Sequence, residues 1–257
     1  DKESIRRKKE RIEQAHTEPT KRAQILEALL AEQIELSDWL GPDAMTIIPT
    51  EYDDLFHGVD MTAEFQRDDS LQHLAMGVDV TTSPASIEKK LSIIREHLMD
   101  GTLTEMKYFT SERLPDFHGR MANIPSIVIG ADARTIHELA ELWLTIDQSK
   151  NPKPDTDAVT LEELREKARE AQQKLARHRV QVLVLKQIQA QLEKFSTFAQ
   201  RHTREDKRDE LVAKLKSLGK LIEGILSEKK VSRAQEELNE MDDVYQSLRK
   251  TLDTLFT

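Results

Sequence analysis

Apolar and polar positions alternate along this chain with two different periods, and the change of period marks its parts. Val59, Met61, Ala63 and Phe65 alternate with Asp60, Thr62 and Glu64, a period of two that predicts a strand with one apolar and one polar face. Leu74, Met76, Val78 and Val80 alternate in the same way with Ala75, Gly77, Asp79 and Thr81, and the polar run Gln66-Arg67-Asp68-Asp69-Ser70 between the two predicts a hairpin turn. Ser83-Pro84 then opens a helix whose stripe Ile87, Leu91, Ile94 and Leu98 is suited to lie on a sheet. Asp100-Gly101 ends it, a third strand follows over Leu103 to Phe109, and Ile124 to Ile129 reads as a fourth, more buried one. A helix over Asp132 to Ile146, apolar at Ile136, Leu139, Ala140, Trp143 and Leu144, is expected to cover it. A strand, a helix and a strand joined by a short crossover predict parallel pairing of the Asp79 and Lys107 strands.

The segments on either side have the helical period. Residues 1 to about 40 read as helix, interrupted at Pro19, with Ala23, Leu26, Leu30 and Ile34 on one face and a stop at Trp39-Leu40-Gly41-Pro42. Its basic run Arg6, Arg7, Lys8 and Lys9 suits an exposed helix face. Beyond Asn151-Pro152-Lys153-Pro154-Asp155, the clearest boundary, steps of three and four through Leu161, Leu164, Ala168, Ala171, Leu175, His178, Val182 and Leu185 give heptad spacing. Two further runs follow, from Leu211 to Ile225 and from Ala234 to Leu255, with breaks near 201–206 and 227–232. The first of these helices is expected to run for about 40 residues, or ~60 Å. The expected architecture is therefore N-terminal helices (1–42), an α/β core with a mixed four-stranded sheet flanked by helices (43–150), and an all-α coiled-coil or helical-bundle module (156–257).

Composition narrows the function classes. Charged residues are 33% of the chain and aromatics 5%, which speaks against a large all-β core, and the absence of cysteine excludes disulfides and thiolate metal sites. No apolar run reaches the ~20 residues of a bilayer span and no signal-peptide core stands at the N-terminus, so a soluble cytoplasmic protein without a membrane partner is expected. The formal net charge of -9 argues against indiscriminate coating of nucleic acid but is compatible with a local basic groove. There is no P-loop or dinucleotide glycine pattern, no His-X-X-X-His pair and no Gly-X-Ser-X-Gly elbow.

What stands out is acid within extended segments. Gly58-Val59-Asp60 and Gly77-Val78-Asp79 both place an aspartate in a predicted strand, where Asp is disfavoured because its short side chain competes for backbone donors. Glu51 lies upstream, on a helix that Thr50 caps and whose first turn holds Asp53 and Asp54. Lys89, Lys90 and Lys107 lie downstream. Two or three carboxylates holding Mg²⁺ or Mn²⁺ can activate water and offset phosphate charge, and a lysine beside them can stabilise the developing negative charge. Asp60, Asp79 and Glu51 are the candidate metal ligands, and Lys89, Lys90 and Lys107 the candidate cations. Strand-end capping is the competing explanation for both aspartates.

The order of these elements, with Gly58-Val59-Asp60 on one strand and Asp79-Val80-Thr81 on its antiparallel neighbour, resembles the PD-(D/E)XK nuclease superfamily over residues 45–130. The likeness is to its restriction-endonuclease-like and Holliday-junction-resolvase-like cores. The resemblance implies that Asp60 and Asp79 hold the metal, with Glu51 as a helical glutamate. It departs at Thr81, where the motif has lysine, so the lysine would come from Lys89, Lys90 or Lys107. A second register, Glu105-Met106-Lys107 preceded by Asp79, also satisfies the acid-X-lysine pattern. The expected function is metal-dependent hydrolysis of DNA phosphodiesters, the helical module serving dimerisation or clasping of the duplex. The alternative is a non-catalytic assembly protein with an inactive nuclease-like domain and a partner-binding coiled coil.

Overall fold

The computed structural model describes residues 18–65, 74–111, 118–153 and 156–257. The run Arg6 to Lys9 and the turn at 66–70 lie outside these residues. Helix α1 (Glu18–Ser37) carries Pro19 in its first turn, where the missing N–H costs nothing, and buries Leu26, Leu29, Leu30 and Ile34. Strand β1 (Ala44–Ile47) follows, too short for its pattern to announce it, and is fixed to α1 where Thr46 N–H donates to Glu35 Oε1 at 3.2 Å. Helix α2 (Glu51–His57) has the expected cap at Thr50, whose hydroxyl accepts from Asp53 N–H, and ends at Gly58 in the left-handed region (φ 64°).

The sheet is mixed and four-stranded, but its membership differs from the expectation. Strands β2 (Met61–Phe65) and β3 (Leu74–Thr81) pair antiparallel, β1 joins the outer side of β2, and the parallel partner of β3 is β6 (Ser126–Gly130). The Lys107 strand does not pair with the Asp79 strand: β4 (Thr104–Thr110) and β5 (His118–Ile124) form a separate antiparallel hairpin. The crossover from β3 thus passes through helix α3 (Pro84–Asp100) and the whole hairpin before rejoining the sheet. Met106, Phe109, Met121 and Ile124 of the hairpin pack with Val59 and Ala75 in a small core of their own. Each strand of the hairpin alternates well enough to look like a sheet member, and this second core is what holds it apart. The polar face of β2 is covered as well, since Thr62 and Glu64 are fully buried.

Helix α3 buries the predicted stripe Ile87, Leu91, Ile94 and Leu98. Helix α4 (Ala133–Lys150) buries Ile136 and Leu139, but Trp143 and Leu144 remain 40% and 50% exposed, so only its first half covers the sheet.

The C-terminal helical region comprises α5 (Ala158–Ala176), α6 (Val180–His202), α7 (Glu205–Glu228), α8 (Arg233–Glu240) and α9 (Asp243–Leu255). The single helix of about 40 residues expected from heptad spacing is two, broken at Arg177–Arg179, where Arg179 is buried at 2% exposure and spends its guanidinium on neighbouring elements. The third heptad run also breaks: Asp242 caps α9, and Met241 is 57% exposed. One continuous core joins α1, the sheet, α3, α4 and the C-terminal helices.

Helix α6 does more than cover the sheet. Gln187 accepts from Gly130 N–H (2.8 Å) and donates to its carbonyl (2.8 Å), and Gln191 does the same for Val128 (2.9 and 2.7 Å). Two amides one helical turn apart therefore meet alternate residues of β6 as a neighbouring strand would. Left unpaired, each of those buried backbone groups would cost about 1–3 kcal/mol. Gly130 is required here, because a Cβ would stand 2.0 Å from the carbonyl oxygen of Thr81.

Candidate functional site

Asp60 does not lie within its strand; it occupies the bend just before β2. Its N–H donates to Val78 O (2.9 Å) and its Oδ2 accepts from Val80 N–H (2.6 Å), so the side chain carries the ladder one step past the end of the strand. The capping expected of such an acid is thus present. Asp79, on β3, faces the same way as Ala75 and Gly77, toward the hairpin side. The carboxyls of Asp60 and Asp79 lie near enough for each to shift the other's protonation, and Lys90, in the second turn of α3, forms an ion pair with Asp79 Oδ1. Asp79 and Lys90 open into a pocket of about 560 Å³ that His57, His97, Glu105 and Ser126 also line.

Charge is undercompensated at this point. Burial pushes Asp79 up to about 7, with the Asp60 charge adding to the rise and Lys90 opposing it. Burial raises Asp60 too, against the pull of Val80 N–H and Lys90. A third carboxyl takes part that the sequence did not single out: Glu27 of α1 is raised to about 7 by burial and then by the charges of Asp60 and Asp54. Its only signal was an acid one position after Leu26 on the buried side of α1, a pattern shared by many helices.

The other candidates sit elsewhere. Glu51 is exposed on the first turn of α2, and among the described residues no three His, Cys, Asp or Glu side chains are grouped to hold a metal ion, so the set Glu51, Asp60 and Asp79 is not assembled. Lys89 is exposed, about 100° around α3 from Lys90. The Lys107 ammonium lies over the rings of Tyr52 (4.8 Å) and Tyr108 (5.2 Å), away from the acids, and Glu105, its partner in the second register, pairs with Arg120. Of the three lysines, Lys90 is the one at the aspartates. Thr81, which stands where the motif has lysine, accepts from Ser83 N–H (3.2 Å) and shares a hydrogen bond with Ser86 (2.6 Å), so it serves the start of α3.

Asp53 has a structural task. Fully buried, it accepts from Lys107 N–H (2.7 Å), Tyr108 N–H (3.1 Å) and Thr50 Oγ1 (2.9 Å), and it pairs with His57 Nδ1 (2.9 Å). These bonds clamp α2 to the hairpin and fix the wall of the pocket. His178, a position of the first heptad run, is largely buried beside Glu138 (3.5 Å), and burial lowers it to about 4, with Arg179 adding to the shift.

Comparison with protein-family profiles, with curated proteins and with solved structures finds no match. Among the described residues, no helix is long and apolar enough to cross a membrane.

Proposed function

We propose that this chain is a metal-dependent endonuclease that hydrolyses DNA phosphodiesters at Asp60 and Asp79. The observation that carries the reading is the convergence of the Asp60 and Asp79 carboxyls on Lys90, with Asp79 and Lys90 lining a pocket and burial raising both carboxyls above their usual pKa. Mg²⁺ suits such a donor set, because it binds through one or two carboxylates and keeps several waters. Bound there, Mg²⁺ or Mn²⁺ would polarise a phosphate oxygen and lower the pKa of its water. Asp60, oriented by Val80 N–H, and Asp79, oriented by Lys90, would hold it. The Lys90 Nζ, already at the pocket, can move to a phosphate oxygen and offset the charge that builds there. Glu27, whose carboxyl titrates near 7, can take or return a proton at the edge of the site.

The resemblance to the PD-(D/E)XK superfamily supports the same reading on two counts. Three antiparallel strands and a crossover through α3 and the hairpin to a parallel fourth agree with such a core in bringing Asp60 and Asp79 near each other, and the missing lysine has a candidate substitute on the next helix. In this reading Glu27, rather than Glu51, is the helical acid whose charge interacts with Asp60, while the two aspartates alone would hold the ion.

The assembly-protein alternative draws less support, because the apolar positions of α6 and α9 are spent on the chain's own core rather than left for a partner. The test is cleavage of plasmid, linear and branched DNA with Mg²⁺ or Mn²⁺. Asp79→Ala and Lys90→Ala are each expected to slow cutting by roughly a hundredfold or more. Equal cutting by wild type and Asp79→Ala, or none by wild type on any substrate, rejects the proposal.

A further inference from the structure

Beside the acid pair, α2 and the hairpin present aromatic rings on the surface. Tyr52 and Phe56 stack with centroids 4.8 Å apart, and Tyr108 meets Tyr52 edge-on at 5.8 Å. Phe56 is 39% exposed and Tyr108 44%, and Ile93, across the pocket on α3, is 47% exposed. Rings of this size left half in water on a chain with so few aromatics call for an explanation. The Lys107 ammonium lies over two of them. Phe56 belongs both to this cluster and to the wall of the pocket that holds Asp79 and Lys90. Two hydrogen bonds to Asp53, from Lys107 N–H and Tyr108 N–H, tie α2 to the hairpin and hold the rings together.

We propose that this surface is a stacking platform for unpaired nucleotides, so that the site acts on single-stranded DNA or on the single-stranded part of a branched molecule. The proposal rests on the hydrolytic reading above for the position of the scissile phosphate, which lies at Lys90 while a neighbouring base stacks on Phe56 or Tyr108. Aromatic faces interleaved with cations are how proteins hold single strands, because every base has a π-face and only an unpaired base can offer it to a side chain. A duplex keeps those faces against each other and must be held through its phosphates by many cations. The net charge of -9 is poorly suited to that.

The test uses the full chain in EDTA and follows fluorescence anisotropy of a labelled twelve-nucleotide oligo(dT), a twelve-base-pair duplex and a twelve-nucleotide oligo(rU) at one salt concentration. Oligo(dT) is expected to bind at least tenfold tighter than the duplex. Tyr108→Ala and Phe56→Ala should each weaken that binding roughly tenfold, and Tyr108→Phe, which keeps the ring, should restore it. Equal or tighter binding of the duplex, tighter binding of oligo(rU), or unchanged binding by both alanine variants with unchanged thermal melts overturns the proposal. Asp79→Asn separates the two readings. If it binds oligo(dT) like wild type while wild type cuts no DNA with Mg²⁺, the platform stands and the hydrolytic site falls. If duplex DNA is cut in an Asp79-dependent way and oligo(dT) is not bound, the platform falls alone.

Discussion

Two clusters of charge lie within this protein, and they are built on opposite lines. Around Arg179 every strong group is answered. Its guanidinium donates to Asn239 Oδ1 (2.9 Å), Thr135 Oγ1 (3.0 Å) and Glu138 Oε2 (2.8 Å), and Asn239 returns a bond to its carbonyl (3.2 Å). Asp242 nearby accepts from Asp132 N–H, Thr135 Oγ1, Val244 N–H and Tyr245 N–H, so four donors oppose the cost of its burial. Around Asp79, by contrast, two carboxyls share one lysine, and a pocket opens beside Asp79 and Lys90. A satisfied polar cluster joins α4, α6, α8 and α9 into one body, while an unsatisfied one that opens to solvent keeps its charge for a ligand.

The sharpest break of this contrast is Arg179→Ala. It strands Glu138 and Asn239 without their cation, and unfolding by denaturant should show a loss of about 3–5 kcal/mol. Asp79→Asn, which removes a repelled charge, should leave stability unchanged or raise it. A comparable loss from Asp79→Asn would mean that its carboxyl is architectural after all.

The pH dependence should have opposite signs at the two places. Asp79 and Glu27 titrate near 7 in the folded chain, against ordinary values of 3.8 and 4.5, so the native state holds protons that the unfolded chain has released. Their contribution is complete below about pH 4 and is lost as pH rises toward 7. His178 is lowered to about 4 from 6.5, so its contribution is complete above 6.5 and is lost as pH falls through 4. Denaturant midpoints between pH 4.5 and 7.5 should show Asp79→Asn gaining on wild type toward the neutral end. His178→Gln should gain toward the acid end, each by an amount on the order of 2 kcal/mol. Parallel profiles for the two variants would erase the distinction.

The smallest effect expected is on melting. Mg²⁺ at ten times its dissociation constant stabilises the folded state by about 1.4 kcal/mol, which raises Tm by roughly 3–5 °C in a chain of this size. Wild type should show the rise, and Asp60→Asn and Asp79→Asn should not.

Much of this architecture was legible where periodicity extended over several turns or residues. The α3 stripe, the caps at Thr50 and Gly101 and the helix breaks near 203 and 229 stand as their spacing implied, while the Val59 to Phe65 alternation yields a strand only from Met61, with both faces buried. Pairing was not legible, because alternation says that a segment is a strand but not which strand it meets. The Lys107 strand therefore seemed to belong beside Asp79, when Val128 lies there and Lys107 belongs to the hairpin. Heptad spacing likewise ran straight across Arg179, since a periodic count cannot see a guanidinium committed to three partners. At the site, Asp60, Asp79 and Lys90 could be picked out by type and position. Glu27 could not, because its meaning comes from the distance between α1 and the bend at Asp60, and only the folded chain sets that distance.

The glutamines of α6 have one more effect. With Gln187 and Gln191 occupying the free flank of β6, that margin of the four-stranded sheet offers no run of open main-chain donors and acceptors to a second chain, and on the far flank Glu35 takes up Thr46 N–H. At the β6 margin, strand addition by a second copy is therefore blocked, and replacing both glutamines with leucine would open that margin to fibre-like association.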